Sequence, residues 1–359
     1  MDDDSLTILQ RAADAHGVCG HEDEVRELIR EYLEPVCAEI KYDKLGSIIC
    51  EKPGQADSPR IALDAHMDEV GFMVKLVTDE GFVRFTTLGG WVDQVLLAQR
   101  VVIKTAKGKI PGIIGSKPPH LLPPDKRRQM IKKEAMFIDV GARSKEQAEK
   151  EFGIRPGDPI TPDSSFRTLA DQGRLLGKAW DDRVGVALMI DAIRRLGDDH
   201  PNTVVGVGAV MEERGLLGAI TSSHVSRPDA AIILESSIAG DMPGVKAYES
   251  PDKLGAGPSI IFHEAGIVPP RRFRELALKT AEELNIPVQH GFLERGATDA
   301  GRIHIHAEGV PTLTLCVPAR YIHSHTQIID ASDYDNALKL VLALLKKLDA
   351  QTVKSLTQW

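Results

Sequence analysis

The chain has 359 residues, with 44 lysines and arginines against 52 aspartates and glutamates, a formal net charge of −8, and 42% of its positions hydrophobic. This length and composition argue against disorder and point to two domains, or one large domain with an insertion, either with a sizeable core. A negative balance without a basic tract argues against nucleic acid or an anionic membrane as the main partner, and no run approaches the roughly 20 apolar residues that a membrane span needs.

The acidic opening Met1-Asp2-Asp3-Asp4 is unlike a secretory signal, so the expected location is the cytoplasm. Cys19, Cys37, Cys50 and Cys316 form no Cys-x-x-Cys pair and read as scattered thiols, not disulfides or a zinc knuckle. A bound metal must then be held by other side chains.

In chain order, helical spacing of apolar residues predicts helices over Leu6–Ala15 and Glu22–Leu33, the second resting on Val25, Leu28 and Ile29. Short apolar runs at Cys37–Tyr42 and Ser47–Cys50 read as strands, and Ile61–Ala65, ending in His66, reads as a buried strand. From Gly71 to about Asp163 the texture changes. Brief β-like runs at Phe72–Val77, Phe82–Thr87, Arg100–Lys104 and Lys109–Ile114 are punctuated by glycine and proline, and a proline-rich, then basic loop follows from Lys117 to Arg128. Strand and helix then alternate: a helix from Asp182, a strand Thr203–Met211, a helix from Gly215, a strand Ala230–Leu234, a helix Arg271–Leu284 and a strand Thr312–Val317. A last helix from about Ser332 carries a broad apolar stripe that includes Leu338, Val341 and Leu345. No internal repeat is present. The expected fold is α/β, with a mixed, largely parallel sheet sandwiched by helices, built from residues 1–69 and 164–359 and interrupted by a small β-rich insertion at 70–163.

Ligands of open α/β sheets bind outside the carboxyl ends of the strands, so the polar residues there are informative. Five places qualify: His66-Met67-Asp68-Glu69, Asp181-Asp182, Glu212-Glu213, Glu235, and His323 with His325. Each alone has an ordinary explanation, such as a hydrogen-bonded histidine, a helix cap, or acids complementing a helix dipole. Together they supply imidazoles and carboxylates enough for two adjacent divalent ions sharing one bridging carboxylate, with a position open for water or substrate. The run Gly206-Val207-Gly208 lacks the third glycine of a dinucleotide loop, and neither Gly-x-Ser-x-Gly nor a Walker loop occurs.

The segments His66–Phe72, Trp180–Gly185, Glu212–Ala219, Gly296–Gly301 and Arg320–Ser324, with Pro118-Pro119-His120 and Phe137–Ala142 inside the insertion, resemble the successive motifs of a known family. These are the co-catalytic metallo-aminopeptidases that include the glutamyl, deblocking and tetrahedral (TET) aminopeptidases, some of them labelled endoglucanases. The resemblance implies that Asp181 bridges two metal ions, with His66 and Glu235 completing one site and Glu213 and His323 the other. It makes Glu212 the general base and Asp68 the residue that orients His66. Glu235 stands where many relatives have Asp; Asp241 is the alternative ligand there, as His325 is for His323.

In that reading a water activated between two divalent cations, zinc, cobalt or manganese, gives its proton to Glu212, and the substrate is a peptide with a free N-terminus. Thr298 and Asp299 are structural or pocket-lining, and Arg295 beside them faces either substrate or solvent. The insertion resembles the family's dimerisation domain, implying a homo-oligomer from a dimer to a tetrahedral dodecamer that trims peptides. A non-enzymatic scaffold is disfavoured because every expected ligand type is retained, and two rival enzymatic readings remain. One is a related di-metal carboxypeptidase or aminoacylase. The other is a glycoside hydrolase, disfavoured by its idle histidines and an aromatic content of only 5%.

Overall fold

The structure, a computed structural model, describes residues 1–125 and 128–357; Lys126 and Arg127 of the expected basic loop lie outside the described residues. Two helices, α1 (Asp3–Asp14) and α2 (Asp23–Leu33), lead into strands β1 (Glu39–Tyr42), β2 (Ile48–Lys52) and β3 (Arg60–His66). The side chain of Asp2 caps α1 by accepting the Ser5 N–H at 2.9 Å. Next come β4 (Gly71–Val77), β5 (Val83–Leu88), β6 (Arg100–Thr105), β7 (Gly108–Gly115), β8 (Phe137–Asp139) and β9 (Pro159–Pro162), followed by β10 (Arg167–Thr168), β11 (Arg174–Gly177) and α3 (Trp180–Arg195). The rest runs β12 (Thr203–Ala209), α4 (Leu217–Ser226), β13 (Ala230–Ile238), β14 (Ser259–Glu264), α5 (Arg271–Glu283), β15 (Gln289–Leu293), α6 (Ala300–Ile303), β16 (Thr312–Arg320), β17 (Gln327–Asp330), α7 (Ala331–Lys347) and α8 (Ala350–Ser355).

The sheet runs β1-β2-β12-β3-β13-β16-β17-β11-β10, with β14 and β15 branching from β16. Its centre, β12-β3-β13-β16, is parallel, as the α/β alternation predicts, while β1, β2, β10, β11 and β17 pair antiparallel at its margins. Period-2 alternation sends one set of side chains to each face. Ile61, Leu63, Ile232 and Leu234 join the core made with α1, α2, α3, α5 and α7, whereas Ala62, Ala231 and Ile233 meet Ala219 of α4 and Ile303 of α6. Among the described residues no helix is long and apolar enough to cross a membrane.

The β-rich stretch closes on itself as a barrel, β4-β5-β8-β7-β6-β9, around Phe72, Val74, Val101, Ile103, Ile138 and Ile160. It is tied back to the helices by Lys104 and Lys109, which reach Glu24 of α2 at 3.0 and 3.3 Å.

Beneath the sheet edge lies a buried polar knot. The Arg183 guanidinium, with no solvent exposure, donates to the carbonyls of Ala12, Ala15 and Gly17 at 2.9 to 3.0 Å and to Glu69 at 3.2 Å. Lys178 donates to the same Glu69 oxygen at 2.6 Å, and burial draws its own pKa down to about 8. The knot fixes the end of α1, the start of α3 and the segment that follows β3. Arg183→Ala takes one donor each from Glu69 and three carbonyls, of which Glu69 and Ala15 keep Lys178 and Gly17 keeps the Glu69 N–H, and is expected to cost about 2–4 kcal/mol of stability, read from urea unfolding; a loss under about 1 kcal/mol would mean that the knot does not hold these elements together.

Candidate metal centre

Because β12, β3, β13 and β16 run parallel and adjacent, their carboxyl ends share one edge, and the residues that follow them converge. His66 ends β3, Glu235 lies in β13, Glu212 and Glu213 follow β12, and His323 follows β16. Asp181 enters from the irregular start of α3, where Asp181 and Asp182 depart from helical dihedrals and are joined by a cis peptide bond. The loops turn sharply there: Met211, Tyr321 and His323 have φ of 54°, 65° and 58°, a left-handed conformation that costs on the order of 1–3 kcal/mol each outside glycine.

The geometry centres on Asp181. Its Oδ1 lies 3.1 Å from His66 Nε2 and its Oδ2 lies 3.4 Å from His323 Nε2. Glu235 Oε2 stands 3.6 Å from His66 Nε2, and Glu213 Oε1 stands 3.1 Å from His323 Nε2. The donor atoms form two groups that could each hold an ion: His66, Asp182 and Glu235, and Asp181, Glu213 and His323. Asp182 is also engaged elsewhere, accepting the N–H groups of Gly185 at 3.0 Å and His66 at 3.2 Å. It is therefore the helix cap that the Asp-Asp pair suggests, leaving Asp181 facing both imidazoles. Glu212 Oε2 is 3.9 Å from His66 Nε2 and belongs to neither group.

Crowding this many acids in a buried place is unfavourable without compensation. Burial pushes Glu235 and Glu212 well above the usual carboxylate range, with neighbouring carboxylates adding to it. Asp181 goes the other way: burial opposes its charge, but hydrogen bonds and charge from His323 and His66 hold it below that range. His323, drawn down by burial, is carried up to about 11 by Asp181 and Glu213. Imidazole nitrogen and carboxylate oxygen gathered in an anionic niche are the donor set that divalent ions take, so the residues fit a metal centre.

A supporting layer sits behind. His66 Nδ1 lies 3.0 Å from the Asp68 carbonyl oxygen and 3.6 Å from its carboxylate, so the nearer partner is the backbone. A proton on Nδ1 leaves Nε2 free to ligate. The Asp68 carboxylate accepts the N–H groups of Glu212 and Glu213 at 2.9 and 3.1 Å and the Cys19 thiol at 3.0 Å. Thus Asp68 fixes both the histidine and the glutamate pair. Deeper still, Asp64 and Asp299 are fully buried, and burial raises Asp64 well above its usual pKa and Asp299 to about 7.

The remaining candidates separate cleanly. Asp241 is paired with Arg320, both oxygens engaged at 2.9 and 2.5 Å, and so lies outside either donor group. His325 is buried against Trp91 and Phe72, its ring nitrogens without a hydrogen-bond partner among the described residues. Thr298 lines the cavity and donates to Glu264 at 2.9 Å, while Arg295 is exposed and does not line it. The sequence reading takes Cys19 for a scattered thiol and does not single out Gly89 and Gly90, which follow β5. A Cβ at Gly89 would lie 3.0 Å from Glu213 Oε2, and one at Gly90 3.0 Å from His323 Nδ1. The glycine pair after β5 was the available signal.

In front of the donors opens a cavity of about 430 Å³, walled by Ile238, Met242, Leu293, Ala297, Tyr321 and Ile322.

The sequence model described as M42 glutamyl aminopeptidase matches residues 46–340. The chain is 35% identical over 344 residues to a lysyl aminopeptidase of Pyrococcus furiosus, covering 95% of this chain and 96% of that one. Its fold superposes with a TM-score of 0.96 on the TET aminopeptidase of a marine sediment archaeon, Thaumarchaeota archaeon SCGC AB-539-E09, at 45% identity and 99% coverage of both chains. It also resembles the Pyrococcus horikoshii TET1 peptidase, described as assembling into a tetrahedron or a large octahedral shell, with a TM-score of 0.85, 31% identity, and coverage of 96% of this chain and all of that one.

The thiol donor to Asp68 has a measurable consequence. Cys19→Ser keeps a donor and should keep cation affinity, whereas Cys19→Ala should weaken it about 10-fold or more, as loss of an outer partner usually does. Chelator competition reads both; equal affinities in the two variants would remove Cys19 from the support of the centre.

Proposed function

The chain belongs to the M42 glutamyl aminopeptidase family and is a metal-dependent aminopeptidase, and from that premise we propose that it removes N-terminal residues from peptides at a centre where Asp181, with His66, Glu235, Glu213 and His323, would hold two divalent cations. The observation that carries this reading is the placement of the two Asp181 oxygens against two different imidazoles. His66 and Glu235 would hold one cation, Glu213 and His323 the other. Zinc, cobalt and manganese all suit such a set.

Bound there, the cations would supply Lewis acidity, making a water acidic near neutral pH and polarising the scissile carbonyl. The chain's own residues do the rest. Glu212, close to the donors yet outside both groups, accepts the water's proton and passes it to the leaving amine nitrogen. Asp68 keeps Glu212 and Glu213 in place through their backbone N–H groups. The substrate's α-amine, a cation, is drawn to the acidic floor formed by Asp181, Glu212, Glu213 and Glu235.

The same lining discriminates against the rivals. No lysine or arginine lines the cavity among the described residues, so a carboxypeptidase lacks a clamp for the substrate's terminal carboxylate. A glycoside hydrolase needs two carboxylates across a sugar ring, whereas these converge on the imidazoles.

The barrel is proposed as the dimerisation unit of a homo-oligomer, from a dimer to a tetrahedral dodecamer, trimming peptides in the cytoplasm; the TET1 relative is described as assembling into a tetrahedron or a large octahedral shell. Exposed Val92, Ile113, Leu121 and Met130 on or beside the barrel support this surface.

Glu212→Gln is expected to retain both cations by metal analysis while turnover of leucyl-p-nitroanilide falls about 100-fold or more. His66→Ala or His323→Ala should instead lose one cation. An empty site in the Glu212 variant would overturn the assignment. Light scattering after gel filtration should give a dimer or larger; a monomer would sink the assembly.

A further inference from the structure

The cavity over the donors has an acidic floor and a wall of a different nature. Every carboxylate that lines it, Asp181, Glu212, Glu213 and Glu235, belongs to the floor. The wall is largely apolar: Ile238 at the end of β13 and Met242 beyond it, Leu293 at the end of β15, Ala297 before α6, and Tyr321 and Ile322 after β16. Ile238 and Tyr321 are each 50% exposed, an apolar surface that an entering group can cover.

We infer that this cavity selects peptides whose N-terminal side chain is apolar and uncharged, an inference that rests on the aminopeptidase reading above. A glutamate side chain entering here meets no guanidinium or ammonium. Three arginines adjoin lining residues in sequence: Arg320 spends its charge on Asp241 through two hydrogen bonds, and Arg214 and Arg295 are exposed and stand outside the wall. A lysine side chain meets no carboxylate except those of the floor, where the α-amine and the cations compete for them. Either charge would lose its water without gaining a partner, whereas leucine, methionine or phenylalanine would lose only unfavourable hydration. The neutral polar side chains in the lining offer no charge: Thr298 is committed to Glu264, which leaves the hydroxyls of Ser236 and Tyr321.

The test is kcat/KM on the metal-loaded enzyme for leucyl-, methionyl-, phenylalanyl-, glutamyl- and lysyl-p-nitroanilides, with N-acetyl-leucyl-p-nitroanilide as control. The apolar substrates should exceed the charged ones by about 100-fold. Met242→Glu should raise the lysyl-to-leucyl ratio at least about tenfold, and a ratio within one sample is independent of the fraction that folds. Glutamyl or lysyl turnover matching leucyl would overturn the selectivity and leave the aminopeptidase standing. Glutamyl turnover that disappears in Arg295→Ala would overturn it in favour of a swinging arginine. Cleavage of the acetylated substrate in place of the free amine would instead overturn the aminopeptidase reading itself.

Discussion

Mutual repulsion among buried and half-buried carboxylates is the constraint around which this molecule is organised. Asp181, Asp182, Glu212, Glu213 and Glu235 meet two imidazoles at the edge of a sheet packed between apolar clusters. Left alone, such a cluster would take up protons or pull apart. It is held by elements that cannot easily yield: four parallel strands in fixed register, loops in left-handed turns, and a carboxylate, Asp68, that receives two backbone N–H groups and a thiol. The favourable energy of the apolar core is set against the cost of a site poised to take cations.

Much of this was legible in the sequence because the signals are local. An apolar run that stops at a histidine or an acid marks a strand and a candidate functional end together, which is why His66, Glu212, Glu213 and Glu235 stand out in the sequence, whereas His323 and His325, beyond the run Thr312–Val317, stand out only as a pair. The strand-helix alternation likewise conveys the parallel centre of the sheet. The antiparallel margins are different: Gln327–Asp330 and Arg174–Gly177 have only four residues each, and what makes them strands is pairing with distant segments.

Long-range chemistry was legible least. Cys19 is an isolated thiol in the sequence, yet its partner, Asp68, lies 49 residues away. Spacing cannot distinguish His323 from His325, or Asp181 from Asp182. The fold does: His325 turns to the barrel aromatics Trp91 and Phe72, and Asp182 to the backbone of Gly185 and His66. Lys178 and Arg183 resemble ordinary surface cations near a helix start, and what explains them is buried Glu69 together with the carbonyls at the end of α1.

The close approach of Gly89 and Gly90 to Glu213 and His323 bears on how freely this architecture can be rearranged. The barrel closes on its own core and looks like a cassette, but its β5 exit comes up against the metal centre, where Gly89, with φ of 74° and Val70 2.6 Å from its Cβ position, leaves no room for a side chain and Gly90 leaves little. A transplanted insert would have to bring the same bare backbone to the same spot, and a chain pruned of it would open two ligands to water. The two parts are thus bound to change in step, as lock and doorframe, despite separate cores.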